Sequence, residues 1–81
     1  MQKSRAEKSL KKLSSRINDA KSLGYHSRYP GVFNLALQYA EDASYYLKKE
    51  DYFSSFGCSD YAYGLLDALL ILEGKKGDFP E

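Results

Sequence analysis

The sequence contains few of the residues that small secreted domains and metal-dependent domains rely on. Its 81 residues include one cysteine, Cys58, one histidine, His26, two prolines and no tryptophan. A single cysteine excludes an intrachain disulfide and favours a reducing compartment, so we expect a cytoplasmic protein. One histidine cannot build a two-histidine metal site. The composition therefore predicts neither a metal ion nor another cofactor.

The chain also lacks a hydrophobic run long enough for a membrane. Its most apolar segment covers residues 61–72, whereas a membrane-spanning helix needs about 20 residues. The charged amino terminus has no continuous apolar segment of the kind found in signal peptides. With 43 % apolar and 28 % charged residues, the composition predicts one folded domain over residues 1–81 that makes no membrane contact.

Positive and negative charges are separated along the chain. Residues 1–30 carry eight Lys or Arg and two acids, a net charge of +6, whereas residues 31–81 carry four Lys and nine acids, a net charge of −5. Such asymmetry is found in nucleic-acid-binding arms. It also arises when a basic helix packs against an acidic hairpin. We favour the second explanation because charge runs are usually solvated faces or weak surface pairs.

Apolar residues recur at three- and four-residue spacing in three segments, which predicts an all-α fold. The two-residue link Glu50-Asp51 is short enough to force the second and third helices into an antiparallel hairpin. The predicted architecture is a three-helix bundle with this long hairpin. Its parts are helix one at about 4–23, helix two at about 31–49, helix three at about 52–73 and a loose tail at 74–81.

Local signals define the expected helix ends. Ser4, followed by Glu7, matches a capping box at the start of helix one, and Gly24 suits the position just after its end. Asp51 can cap helix three by accepting from the N–H of Phe53 or Ser54. The connection between helices one and two is expected to be a loop that carries His26.

Helix three is apolar on more sides than one neighbour can cover. We expect its core side to carry one stripe of residues, and a second side to contact either helix one or a partner protein. Gly57 and Gly64 are expected to allow close approach of a neighbouring helix or of a ligand, and we favour the helix because packing is the more common cause. The predicted core stripe is Gly57, Tyr61, Leu65, Ala68 and Leu72, joined by Ser54, Cys58, Ala62 and Leu69. The candidate partner-binding residues are Tyr52, Phe56, Asp60, Tyr63, Asp67 and Leu70.

A basic stripe on helix one supports an alternative function. Its cations could neutralise phosphates while some of the eight tyrosines stack on bases, which is how many proteins bind single-stranded RNA. Tyrosines equally supply bulk to a core without tryptophan, or contact area to a protein interface. The candidate RNA-binding residues are Arg5, Lys8, Lys12 and Arg16.

Evidence for catalysis is weak. Asp60 and Asp67 are seven residues apart, about 10 Å along a helix, which is too far for one metal ion without further ligands. We expect each to pair with a cation of helix one or to face water. His26 has no evident orienting partner, and Cys58 is expected to be a core residue. We therefore expect a protein that is not an enzyme, with a protein partner or a second copy of itself as ligand.

Several segments of the chain resemble one known family. They are Tyr39 to Ala43, Lys49 to Tyr52, Phe56 to Cys58 and Asp60 to Ala68, and the block Asp51 to Ala68 is the most specific part. Together they are similar to small archaeal proteins grouped as domain of unknown function 357, and the similarity covers most of the chain. The resemblance implies a short all-helical protein with a long helical hairpin, and it assigns no catalytic residues.

Overall fold

The protein, described by a computed structural model over residues 2–79, is all helical. The helices are α1 (Gln2–Ser22), α2 (Tyr25–Arg28), α3 (Pro30–Lys48) and α4 (Tyr52–Leu72), followed by a 3-10 turn at Lys76–Asp78. Residues 2–79 contain no strand, so the all-α prediction is confirmed. Within the same range, no helix combines the length and the apolar character that crossing a membrane requires.

The bounds of the three long helices lie within two residues of the predicted ones. The capping box at Ser4 is wrong, because α1 begins at Gln2 and Ser4 lies inside it. The cap of α4 is confirmed: the N–H of Ser54 donates to Asp51 Oδ1 at 3.1 Å. Gly24 follows α1 with a φ of 77°, a left-handed conformation that glycine adopts without steric cost.

The connection between α1 and α3 is a short helix and not the expected loop. Tyr25, the first residue of α2, is fully buried. Its ring meets the ring of Tyr29 edge-on, with centroids 5.5 Å apart. The side chain of Tyr25 therefore anchors this connection to the core, while its neighbour His26 stays exposed.

Helices α3 and α4 pack against each other in antiparallel directions. The hydroxyl of Ser55 donates to the carbonyl of Ala43 at 2.7 Å. Farther from the turn, the rings of Tyr39 and Tyr61 lie 4.6 Å apart. As the α4 residue number rises, the contacted α3 residue number falls, which is the pattern of a hairpin. Helix α1 packs mainly on α4 and also contacts α3.

The buried face of α4 differs from the predicted core stripe. The predicted members Gly57, Tyr61, Ala68 and Leu72 are exposed, so this part of the prediction is wrong. Because apolar residues surround most of α4, their spacing alone did not identify the face that packs. Small serines lie in the core instead, where the hydroxyl of Ser55 donates to the carbonyl of Ala43 on α3. The buried residues are Ser55, Ser59, Ala62, Leu66, Leu69 and Leu70.

The two glycines of α4 do not provide a close helix contact. A Cβ atom placed on Gly57 or Gly64 would meet nothing within 4 Å, and both residues are exposed. The predicted approach of a neighbouring helix at these positions is therefore wrong. Within the described chain, both glycines face open space.

The segment after α4 is folded back on the helices. Gly74 turns the chain with a φ of 70°, and the half-buried Phe79 packs against the core. The predicted loose tail is thus wrong for residues 74–79. The remainder of that prediction, at residues 80–81, lies outside the described residues.

Candidate interaction surfaces

Helix α1 covers much of the predicted partner-binding side of α4. The hydroxyl of Tyr63 accepts a hydrogen bond from Arg16 Nη2 at 2.6 Å. Asp67 pairs with Arg16 at 3.5 Å and with Lys76 at 2.5 Å. Leu70 is 1 % exposed. Tyr63, Asp67 and Leu70 therefore make their contacts within the protein. Of the predicted set, only Asp60 is fully on the surface.

Arg16 is the centre of this internal contact. Its side chain is 2 % exposed, and its Nη1 donates to the carbonyl of Phe79 at 2.7 Å and to Asp19 at 3.3 Å. A guanidinium buried among such acceptors cannot contact an RNA phosphate, so its predicted place in an RNA-binding stripe is wrong. The apparent stripe arose because Arg16 follows Lys12 by one helical turn, although the two differ in burial.

The other three cations of that stripe lie on the surface. Arg5, Lys8 and Lys12 are exposed. The Arg5 guanidinium carbon lies 5.8 Å from the centroid of the Phe56 ring, and Lys12 Nζ lies 4.7 Å from that of Tyr63. At these distances a cation is attracted to the face of an aromatic ring. The contacts orient the two cations along the boundary between α1 and α4.

Tyr52 and Phe56 line a half-open pocket at the amino-terminal ends of α1 and α4. Its other walls are Gln2, Arg5 and Phe53, and its volume is about 190 Å³. Pockets for drug-sized ligands usually measure about 300–1,000 Å³. This one is therefore small, and it forms one end of a larger apolar surface.

That larger surface is the side of α4 that points away from the protein, here called the outer face. Phe53 is 84 % exposed, Ile71 61 % and Leu72 81 %. Asp60 carries the only charge among the exposed residues of α4, whereas every exposed residue of α1 is polar or charged. The outer face consists of Phe53, Gly57, Asp60, Tyr61, Gly64, Ala68, Ile71 and Leu72.

Sequence reasoning did not identify the outer face. It assigned Gly57, Tyr61, Ala68 and Leu72 to the core because their spacing is as regular as that of the buried residues. A signal was available in the glycines, since a core-facing helix position seldom carries glycine at a cost of about 1 kcal/mol. Their seven-residue spacing traces the exposed side of α4.

A charged cluster joins α2 to the end of α4. Glu73 accepts hydrogen bonds from Arg28, at 2.5 Å, and from the Tyr29 hydroxyl. These two donors stabilise the carboxylate and hold the pKa of Glu73 below its ordinary value. The same hydrogen bond to Glu73 raises the pKa of Tyr29. This contact links residues more than forty positions apart, which is why local sequence patterns did not reveal it.

The residues with catalytic potential are dispersed. Cys58 is half-buried, and its pKa is raised by burial and by the nearby charges of Asp42 and Asp51. His26 is exposed, with its ring edge-on to Phe33 at 6.0 Å. Among residues 2–79, no three His, Cys, Asp or Glu side chains converge in a way that could hold a metal ion.

Comparison with protein families gives one match. The model of a family described as "Protein of unknown function (DUF357)" matches residues 3–74. The match covers well over half of the chain, so the protein belongs to this family. Comparisons with curated proteins and with solved structures gave no match.

Proposed function

We propose that this member of a family of unknown function is a non-enzymatic, cytoplasmic protein-interaction module that binds its partner through the outer face of α4. The observation that carries the proposal is the composition of that face. Four large apolar or aromatic residues are exposed along one side of a single helix, with one charge among them. These residues are Phe53, Tyr61, Ile71 and Leu72.

The extent of this face supports an interaction. Phe53 and Leu72 are nineteen residues apart on α4, about 28 Å along the helix axis. Single exposed apolar residues are common, whereas contiguous apolar patches larger than about a few hundred Å² are rare on monomeric proteins and often mark binding sites. The proposed surface thus differs from the α1-facing residues suggested by the sequence, and it keeps Asp60 from that earlier set.

A capture experiment tests the proposal. The immobilised protein would be compared with an Ala68→Glu variant, which adds a charge to the outer face at an exposed helical position between Gly64 and Ile71. Ser15→Glu, at an exposed position of α1, is the matched control. We expect proteins from source cells to be retained by the wild type and the control and lost with Ala68→Glu. Equal retention by all three would contradict the proposal.

RNA binding is a second candidate, favoured by the charge of α1. Glu7 is the only fully exposed acid on this helix. We expect weak, salt-dependent binding, because released counterions supply most of such affinity. A Lys8→Gln/Lys12→Gln variant should bind single-stranded RNA less tightly and with a shallower salt dependence. No binding by the wild type in low salt would exclude this candidate. The exposed cations of the amino-terminal half of α1 are Lys3, Arg5, Lys8, Lys11 and Lys12.

A further inference from the structure

We infer that the half-open pocket at the amino-terminal ends of α1 and α4, here called the aromatic pocket, holds one base of a single-stranded RNA. The phosphates that follow this base lie on the cations of α1. The inference rests on RNA binding, the second candidate function above, and assigns it a base-binding site. The residues that line the aromatic pocket are Gln2, Arg5, Tyr52, Phe53 and Phe56.

The aromatic pocket has the size and the lining for one planar ring system. Its volume is about 190 Å³, and an engineered cavity of about 150 Å³ in another protein holds one benzene molecule. Three of its side chains are aromatic, and such side chains stack on any base because every base has a π face. The pocket is half-open, so a base can enter it while the attached sugar and phosphate stay in water.

Arg5 lies where the aromatic pocket meets the charged surface of α1. Its guanidinium carbon is 5.8 Å from the centroid of the Phe56 ring, which keeps the guanidinium beside the pocket. The Arg5 side chain is exposed, and within residues 2–79 it forms no hydrogen bond or ion pair. Its donors are therefore available to a phosphate, which a guanidinium can bind through two parallel hydrogen bonds.

The positive charge continues from Arg5 along one side of α1. At 100° per residue, Lys8 lies about 60° around the helix from Arg5, and both side chains are exposed. Glu7, the exposed acid of this segment, lies about 160° from Arg5, on the opposite side of the helix. A strand that leaves the pocket past Arg5 and Lys8 therefore meets cations and not Glu7.

The other charges near the aromatic pocket determine which helix the strand follows. Asp60 is exposed one helical turn after Phe56, so its carboxylate repels phosphates from α4. The turn between α3 and α4 carries as many acids as bases, because residues 48–51 read Lys-Lys-Glu-Asp. The excess of positive charge beside the pocket is therefore that of α1, and the strand follows α1.

These charges also favour a nucleic acid over a peptide in the aromatic pocket. Lysine is depleted at protein interfaces, whereas lysine and arginine neutralise the phosphates of bound nucleic acids. A single nucleotide would occupy the pocket and reach Arg5, but it would leave Lys8 without a phosphate. A strand uses the rings and both cations together.

Calorimetric titration with two matched ligands tests whether a base is bound. The first ligand is a single-stranded RNA of about six nucleotides. The second is an abasic oligomer of the same length, which carries the same phosphates and no bases. We expect the abasic oligomer to bind at least about tenfold more weakly, because it cannot stack on the rings of the pocket.

Two variants separate the contact to the base from the contact to the phosphates. Phe53→Ala truncates a ring that is 84 % exposed, and we expect it to lower the RNA affinity about tenfold with an unchanged salt dependence. Arg5→Gln should lower the affinity and also reduce the slope of log K against log salt by about 0.7, the value for one phosphate of a single strand. Leu72→Ala and Lys21→Gln, at exposed positions near the other ends of the two helices, are the matched controls and should bind like the wild type.

The outcomes separate this inference from the proposed functions. Equal affinity for the RNA and the abasic oligomer, or an unchanged affinity of Phe53→Ala, would overturn the base-binding site and leave α1 as a phosphate-binding helix. A wild type that binds no RNA in low salt would overturn both the inference and the second candidate function.

The protein-interaction proposal is tested independently of these results. Position 68 is about 18 Å along α4 from Phe56, which exceeds the screening length of about 10 Å in 0.1 M salt. In that salt, Ala68→Glu should therefore bind RNA like the wild type, although it should lose the proteins retained in the capture experiment. Arg5→Gln should show the opposite pattern, with weakened RNA binding and unchanged retention of proteins. Parallel losses in both assays for both variants would overturn the assignment of two separate surfaces.

Discussion

Arg16 Nη2 donates a hydrogen bond to the hydroxyl of Tyr63 at 2.6 Å, and this contact fixes α1 against α4. The guanidinium is almost completely buried, and its Nη1 donates to Asp19 and to the carbonyl of Phe79. Removal of a buried cation leaves its acceptors without partners. Breaking a buried ion pair in this way usually lowers the free energy of unfolding several times more than breaking a surface ion pair does.

We therefore expect Arg16→Ala to lower the free energy of unfolding by about 3 kcal/mol. The measurement is urea denaturation followed by circular dichroism. Lys8→Ala, at an exposed position of the same helix, should change the free energy by less than about 0.5 kcal/mol. Similar changes in the free energy of unfolding for the two variants would show that the buried Arg16 side chain does not stabilise the fold.

The Tyr63 hydroxyl should account for part of that effect. Tyr63→Phe removes the acceptor and keeps the ring, and we expect it to cost about 1–2 kcal/mol. In a double-mutant cycle, Arg16→Ala and Tyr63→Phe should then be non-additive. Strict additivity would mean that the 2.6 Å contact does not couple the two helices.

Alanine at the exposed glycines of α4 should stabilise the monomer. Gly57→Ala and Gly64→Ala each remove a residue with poor helix propensity, and the added methyl group meets nothing within 4 Å. We expect each to raise the free energy of unfolding by about 1 kcal/mol at a concentration where the protein is monomeric. Gly24→Ala is the control: with a φ of 77°, it should destabilise by about 1–2 kcal/mol.

Acid should weaken the contact between α2 and the end of α4. The hydrogen bonds from Arg28 and Tyr29 lower the pKa of Glu73 in the folded protein, so the folded state binds this proton more weakly than the unfolded chain. The resulting stabilisation is present above the ordinary carboxyl pKa of 4.5 and is lost as the pH falls through the lower folded value.

Glu73→Gln should remove this pH dependence. We expect the urea midpoint of the variant to lie below that of the wild type at pH 7, and the difference to shrink towards pH 3. Glu41→Gln, an exposed carboxylate on α3, is the matched control. A constant difference between Glu73→Gln and wild type across this range would contradict the assignment.

Cys58 should react slowly with alkylating reagents. Burial raises the pKa of its thiol, and the charges of Asp42 and Asp51 raise it further, so little thiolate is present at pH 7.5. We expect iodoacetamide to modify Cys58 several-fold more slowly than free N-acetylcysteine. Asp42→Asn should accelerate the reaction, whereas the neighbouring Glu41→Gln should not. A rate equal to that of the free thiol would indicate an open, activated cysteine.

The parts of the fold that depend on local chemistry could be predicted from the sequence. The cap at Asp51 and the end of α1 before Gly24 follow from interactions within a few residues. The same applies to α1 and α3, whose buried residues Leu13 and Phe33 belong to the apolar residues at three- and four-residue spacing that predict these helices.

The orientation of α4 could not be predicted in this way. Its apolar residues point in nearly all directions, and the face that packs is decided by shape. Ser55 is buried because its hydroxyl reaches the carbonyl of Ala43, a contact with no signature in the local sequence. Because the predicted core stripe of α4 was wrong, the predicted interaction surface was also wrong: it lay on the side of α4 that α1 covers.

The buried position of Arg16 was missed for a related reason. Its spacing matches that of exposed cations, and its acceptor Phe79 lies 63 residues away. Long-range polar contacts of this kind require knowledge of the folded backbone.

The hydrogen bond from Arg16 to the Phe79 carbonyl makes the first helix depend on the last turn of the chain. A protease that cut after Gly74 would remove no residue of α1, yet it would strip a buried cation of an acceptor and uncover the core beside it. Residues 75–79 therefore hold α1 in place, and we expect their removal to make the folded protein unfold faster.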